Sequence, residues 1–214
     1  MDRRLIKNKT QRSHHAMKKL PVMLSAAILC AVMLFSAAAF ANNSGDANFA
    51  AAEEAFKTKI IKNIGHGKKV YFAGPMFNAA EKEFNLKVTN LLEEYGYQVF
   101  LPQRDGIEAA KLEGKTEEEL VKMIFPLDAG EVRKADIVFM NIDGRVPDEG
   151  ASVELGIAYG SGKRCYGFKT DARAVEFGLE MNPMISGFMI KIFKNFDGDK
   201  LIEEIKQYLS KNAL

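Results

Sequence analysis

Histidine and cysteine are scarce in this chain, and the few present are poorly placed for chemistry. Its 214 residues include three His and two Cys. His14, His15 and Cys30 all fall within the first 41 positions, so only His66 and Cys165 remain beyond them. One His and one Cys cannot build a Cys/His zinc site, and a lone Cys cannot close an intramolecular disulfide. A Ser-His-Asp triad would have to use His66, which sits between Gly65 and Gly67 in a turn-forming triplet. Acid–base chemistry must therefore rest mostly on carboxylates, Tyr or Lys. Basic charge is short as well. Of 30 Lys/Arg and 28 Asp/Glu, residues 1–41 hold seven basic and one acidic, which leaves 23 basic against 27 acidic residues in the body. No nucleic-acid-binding surface is expected on that balance.

What is present suits one or two globular domains: 47% of residues are hydrophobic and 27% charged, which excludes a disordered or collagen-like chain. The first 41 residues have the layout of an export signal. A basic stretch runs to Lys19, an apolar run follows from Pro21, and Ala39-Phe40-Ala41 supplies the small-x-small site of a signal peptidase. Cleavage after Ala41 would place the protein in the periplasm or outside the cell. The alternative is an uncleaved anchor, since that apolar run is long enough to span a bilayer. Residues 42–67 are read as a helical extension, with Phe49, Ala52, Phe56 and Ile60 on one face.

From residue 68 to 214 strands and helices alternate. The strands are expected at Lys69–Ala73, Tyr97–Leu101, Ala135–Ile142, Arg164–Phe168 and Gly187–Phe193. Helices are expected over 78–95, 116–135 (interrupted near Pro126), 149–161 and 199–211. This pattern argues for one α/β domain with a mostly parallel sheet of about five strands flanked by helices. In such a sheet a ligand sits beyond the carboxyl ends of the strands. The segments there are Gly74–Asn78, Leu101–Asp105 and Asp143–Gly150.

The last of these leads to Glu154. Its neighbours at helical spacing are Gly150, Ala151, Ile157 and Ala158, so the carboxylate lies on a small, apolar face directed at the sheet. A charge buried there is costly unless paired or hydrogen-bonded. Glycines at 150, 156 and 160 cost the helix roughly 1 kcal/mol each relative to Ala, which implies that something approaches the backbone closely. The nearby helix start favours an ionised carboxylate, and an ionised, partly desolvated carboxylate is a candidate nucleophile. Alone, Asp148 reads as the cap of this helix, Asp128 as a cap or turn residue, and Tyr71 as an ordinary strand aromatic. All three could converge with Glu154 at one end of the sheet.

These motifs make the chain recognisable. Over residues 68–195 it resembles the nucleoside 2-deoxyribosyltransferase family, most specifically in DGRVPDEGASVELGIAYGSG (143–162) and VYFAGPMF (70–77). The resemblance implies a flavodoxin-like fold and transfer of 2-deoxyribose between nucleobases, with 2′-deoxynucleosides and free bases as partners and no metal or cofactor. It implies Glu154 as nucleophile, Tyr71 orienting it, Asp148 binding substrate and Asp128 working at the nucleobase. It places Gly74 in the turn beside the substrate, Phe77 against the base and Gln103 in contact with the base. It also implies a homo-oligomer with shared sites, in which Asn182 and Met184 reach a neighbour's pocket. A related branch hydrolyses deoxynucleoside 5′-monophosphates with a Ser/Arg-rich turn after the first strand. Residues 73–78 here contain no basic residue. An N-glycoside hydrolase used for scavenging and a non-catalytic nucleoside-binding domain are the alternatives.

The chemistry agrees with the resemblance. Cleaving an N-glycosidic bond passes through an oxocarbenium-like state that a carboxylate can stabilise and trap, as in retaining glycosidases. The departing base needs a proton or a hydrogen bond.

Overall fold

Five short segments become strands and pair into one sheet. The computed structural model describes residues 51, 54, 55, 58, 59, 63–107, 112–173 and 179–214. The chain divides into two units, Met1–Lys57 and Thr58–Leu214. In the first, the described residues Ala51, Glu54 and Ala55 are helical and exposed. The expected leader and the face formed by Phe49, Ala52, Phe56 and Ile60 lie outside the described residues. Among the described residues, no helix is long and apolar enough to cross a membrane.

The second unit runs β1 (Lys69–Ala73), α1 (Ala79–Glu94), β2 (Gln98–Phe100), α2 (Pro102–Asp105), α3 (Glu117–Lys134), β3 (Ile137–Asn141), α4 (Glu149–Gly160), β4 (Arg164–Lys169), α5 (Pro183–Phe188), β5 (Lys191–Lys194) and α6 (Gly198–Leu209). All pairings are parallel, in the order β2-β1-β3-β4-β5. This is the flavodoxin-like order, whose switch point lies between β1 and β3.

Period-2 alternation sorts the strand residues onto two faces. Val70, Phe72, Phe139, Tyr166 and Phe168 face α1 and α6, where Val88, Leu92, Leu201, Ile205 and Leu209 complete the packing. Tyr71, Ala73, Val138, Met140 and Cys165 face the other way, against Val132 of α3, Ala151, Leu155 and Ala158 of α4, and Ile185 of α5. Cys165 is a free, buried thiol. The helix starts are fixed locally. Asn78 with Glu81, and Thr116 with Glu119, form capping boxes that satisfy otherwise orphaned N–H groups.

Three expectations are corrected. Helix α3 runs unbroken through Pro126. The carbonyl that loses its partner belongs to Lys122, and both residues are exposed, so water can take that bond. The fifth strand begins at Lys191, because Asn182 caps a short helix that opens with Pro183. The second strand ends at Phe100, where Pro102 starts the single turn of α2.

At the switch point the chain makes a close approach. Gly74 has φ +155°, and a Cβ there would lie 2.7 Å from the Cβ of Asn141. Only glycine lets the end of β1 sit this tightly against the end of β3.

Candidate active site

The site is assembled where β1 and β3 part. Tyr71 is fully buried in mid-β1, stacked on Phe100 with centroids 5.6 Å apart. Its hydroxyl donates to Glu154 Oε1 at 2.6 Å, a bond that joins residues 83 apart in sequence. Glu154 is partly buried on α4, flanked by the buried Ala151 and Ala158, as its neighbours in sequence predict. Among the described residues nothing donates to its other oxygen, Oε2.

The electrostatics differ from the sequence expectation in one respect. Burial pushes the Glu154 carboxyl up to about 8, the Tyr71 hydrogen bond opposes this, and the charges of Asp128 and Asp148 add to it. Desolvation outweighs the helix dipole, so the ionised form is the minor one at pH 7. Burial, and then the adjacent Glu154 charge, raise the Tyr71 phenol far above its ordinary range. Tyr71 is therefore a fixed donor and not a base.

Asp148 is the N-cap of α4 and accepts from Ala151 N at 2.7 Å. The capping role is thus real, and the carboxylate still contributes to the charge felt by Glu154. Asp128 is neither a cap nor a turn residue. It lies within α3 and is raised by burial. With Glu154 it lines a groove of about 470 Å³ between α3 and α4, whose other walls include Val121, Phe125, Val153 and Ile157.

The glycines of α4 do not act as expected within the chain. A Cβ at Gly150 would meet Asp148 Oδ1 at 3.2 Å, whereas at Gly156 and Gly160 it would meet nothing within 4 Å. Phe77 follows the Gly74 turn beyond the carboxyl end of β1 and is 78% exposed. Gln103 faces inward, with Nε2 donating to the Lys82 carbonyl at 2.7 Å. Asn182 caps α5 by accepting from Met184 N, and Met184 is 65% exposed. Among the described residues, neither bonds to Tyr71 or Glu154. No cluster of three or more His, Cys, Asp or Glu that could hold a metal occurs among the described residues.

Sequence reasoning missed the polar residues behind the site. Asp143 accepts from the Thr170 and Asp171 backbone N–H groups, and Asp171 accepts from Gly144 N, so the loops after β3 and β4 are clasped together. Asn85 and Asn141 are buried at the switch point and hydrogen-bonded to each other. A signal for Asn85 existed. It falls three residues before Val88 and seven before Leu92, a polar residue on the inward stripe of α1.

Comparison with known proteins adds to this geometry. Residues 70–189, more than half of the chain, match the family model described as nucleoside 2-deoxyribosyltransferase. A conserved protein from Enterococcus faecalis V583 is 25% identical with a TM-score of 0.51, the match covering 66% of this chain and 98% of that one. A 2-deoxyribosyltransferase from the psychrotolerant bacterium Bacillus psychrosaccharolyticus is 27% identical with a TM-score of 0.50, covering 63% and 90%. A CMP N-glycosidase from Clostridium botulinum is similar at 17% identity and a TM-score of 0.45, covering 66% and 99%. No curated protein matches the chain.

Proposed function

Because this chain belongs to the nucleoside 2-deoxyribosyltransferase family, we propose that it transfers 2-deoxyribose between nucleobases through a covalent intermediate on Glu154. The observation that carries this reading is the Tyr71–Glu154 pair. One carboxylate oxygen is held at 2.6 Å by a buried phenol, and Oε2 is left to attack the anomeric carbon. In the first step a bond forms between Oε2 and C1′, and the bond from C1′ to the base nitrogen breaks. Asp128, which burial biases toward its protonated form, gives its proton to the departing base. In the second step a nitrogen of the incoming base attacks C1′, the glutamyl ester breaks, and Asp128 takes up the proton released. Two displacements return the starting configuration at C1′. Phe77 packs against the base, and Asp148 holds both the helix start and the sugar. The test is to incubate the protein with a 2′-deoxynucleoside, with and without a free base. A new deoxynucleoside in the presence of the base supports transfer, and free deoxyribose as the sole sugar product would make the protein a hydrolase.

Attack needs Glu154 ionised while Asp128 is protonated, so kcat/KM is bell-shaped in pH, with a midpoint near 8, the value to which burial brings Glu154. The hydrogen bond from Tyr71 favours the ionised form. Tyr71→Phe is expected to move the pH midpoint upward by roughly one unit and to lower the rate at pH 7. A midpoint that stays in place or falls would refute the orienting role of Tyr71.

The active form is a homo-oligomer in which Asn182 and Met184 of one protomer complete the site of another. Supporting this, Met184 is exposed and unconnected to Glu154 in its own chain, and Phe125 is 61% exposed on the groove that Glu154 and Asp128 line. Phe125→Glu should convert the oligomer to a less active monomer in sedimentation experiments. A monomeric and fully active wild type would exclude shared sites. The mature chain begins near Asn42 outside the cytoplasm, on the strength of the leader's layout. N-terminal sequencing of the protein from its native host checks this, and an intact Met1 on a cytoplasmic protein would overturn it.

A further inference from the structure

Asn85 sits in the middle of α1 with 1% of its surface exposed. A primary amide is costly there unless its groups are matched, and they are. Its Nδ2 donates to the Pro75 carbonyl at 2.8 Å and to Gln103 Oε1 at 3.3 Å. Its Oδ1 accepts from Asn141 Nδ2 at 2.9 Å. Asn141 Oδ1 then accepts from Asp143 N at 2.9 Å, and Gln103 Nε2 donates to the Lys82 carbonyl at 2.7 Å.

The ends of this chain fix the orientation of every amide in it. The carbonyls of Pro75 and Lys82 can only accept, and Asp143 N can only donate. Flipping any one of the three side chains would set like groups face to face. Three amides therefore tie together the loops that follow β1, β2 and β3, at the point where the sheet order reverses.

This bonding bears on Gln103, which the family resemblance assigns to the base. Both ends of its amide are already engaged inside the protein. We propose that Gln103 is a positioning residue acting through Asn85, and that the Gln103–Asn85–Asn141 chain fixes the Gly74–Phe77 turn. The base packs against that turn, and Gln103 does not read its edge. The inference rests on the deoxyribosyl-transfer reading. A hydrogen bond to a base edge discriminates among bases, because the wrong base leaves a polar group unpaired. A residue that only holds a turn affects all bases alike.

The experiment measures KM and kcat for purine and pyrimidine acceptors in wild type, Gln103→Met, Asn85→Ser and the double variant. Met keeps the length of Gln and removes both hydrogen bonds. Gln103→Met is expected to raise KM about fivefold for every base, the size of one net hydrogen bond, with kcat changed less than twofold. The pH midpoint should stay at the wild-type value, because the Tyr71–Glu154 pair is untouched. The double variant should be little worse than the poorer single variant, since members of one network are not additive. A loss confined to purines or to pyrimidines in Gln103→Met would overturn the proposal in favour of direct contact. So would single effects that multiply in the double variant, or an unchanged KM. If Asn85→Ser does not fold, the base dependence of Gln103→Met decides alone. Calorimetric binding of free adenine and thymine gives the same comparison without turnover. A wild-type protein that performs no transfer would overturn the underlying reading, a result separate from any variant's.

Discussion

Replacing Glu154 by Gln is expected to abolish deoxyribosyl transfer, by roughly a thousandfold or more, while the domain stays folded. Gln offers Tyr71 the same acceptor, so the buried phenol keeps its hydrogen bond. What is lost is the ionised oxygen that the proposed mechanism bonds to C1′. Removing a nucleophile removes the covalent route altogether, and the remaining binding groups cannot replace it. The measurement is initial rate with a deoxynucleoside and an acceptor base, with circular dichroism to establish folding. Mass spectrometry of wild type quenched with deoxynucleoside and no acceptor base should find a deoxyribosyl adduct on the peptide containing Glu154. The variant should carry none. Full activity in the variant, or an adduct elsewhere, would refute the mechanism.

The same substitution is expected to stabilise the protein at alkaline pH. In the fold the Glu154 carboxyl is raised to about 8 from an ordinary 4.5, chiefly by burial. The native state therefore holds a proton that the unfolded chain releases. The fold has its full stability below pH 4.5, where both states are protonated. It loses stability as pH rises toward 8, and above that value the whole difference is gone. Each unit corresponds to about 1.4 kcal/mol, so the loss is on the order of a few kcal/mol. Gln carries no charge at any pH, and its stability curve lacks this decline. Urea denaturation at pH 4.5 and pH 9 should find the variant near wild type at the first and clearly more stable at the second. A variant less stable than wild type at pH 9 would mean that the carboxylate is well accommodated when ionised. Inactivity together with greater stability is the signature of a group kept for chemistry at the expense of the fold.

Much of the architecture was legible because each element carried its own local signal. KVYFA became β1 at the residues expected, and the apolar run before Ile142 became the central strand β3. The inward placement of Glu154 followed from its small neighbours. The bond from Tyr71 did not, since periodicity carries no information about partners 83 residues apart. It was reached only through the family motif. Pro126 misled because water can take the freed Lys122 carbonyl and the rest of the long helix outweighs the roughly 3 kcal/mol that an interior proline costs. Residues 187–190 misled because their apolar character was read without the Asn182-Pro183 start signal ahead of them. The amide chain behind the site was hidden for another reason. Its members lie on α1, α2 and β3, and single polar residues in separate elements become a network only once the sheet order is known.

Cys165 gives the folded domain a built-in clock. It lies on the central layer of the sheet with its thiol pushed up to about 11 by burial. Near neutral pH its thiolate fraction is on the order of one in ten thousand, and no reagent reaches it without an opening of the packed face. From Asn42 onward it is the sole cysteine. The rate at which a small disulfide reagent labels Cys165 therefore reports how often the sheet opens. In an oxidising compartment the same seclusion keeps two copies from becoming covalently joined while they remain folded.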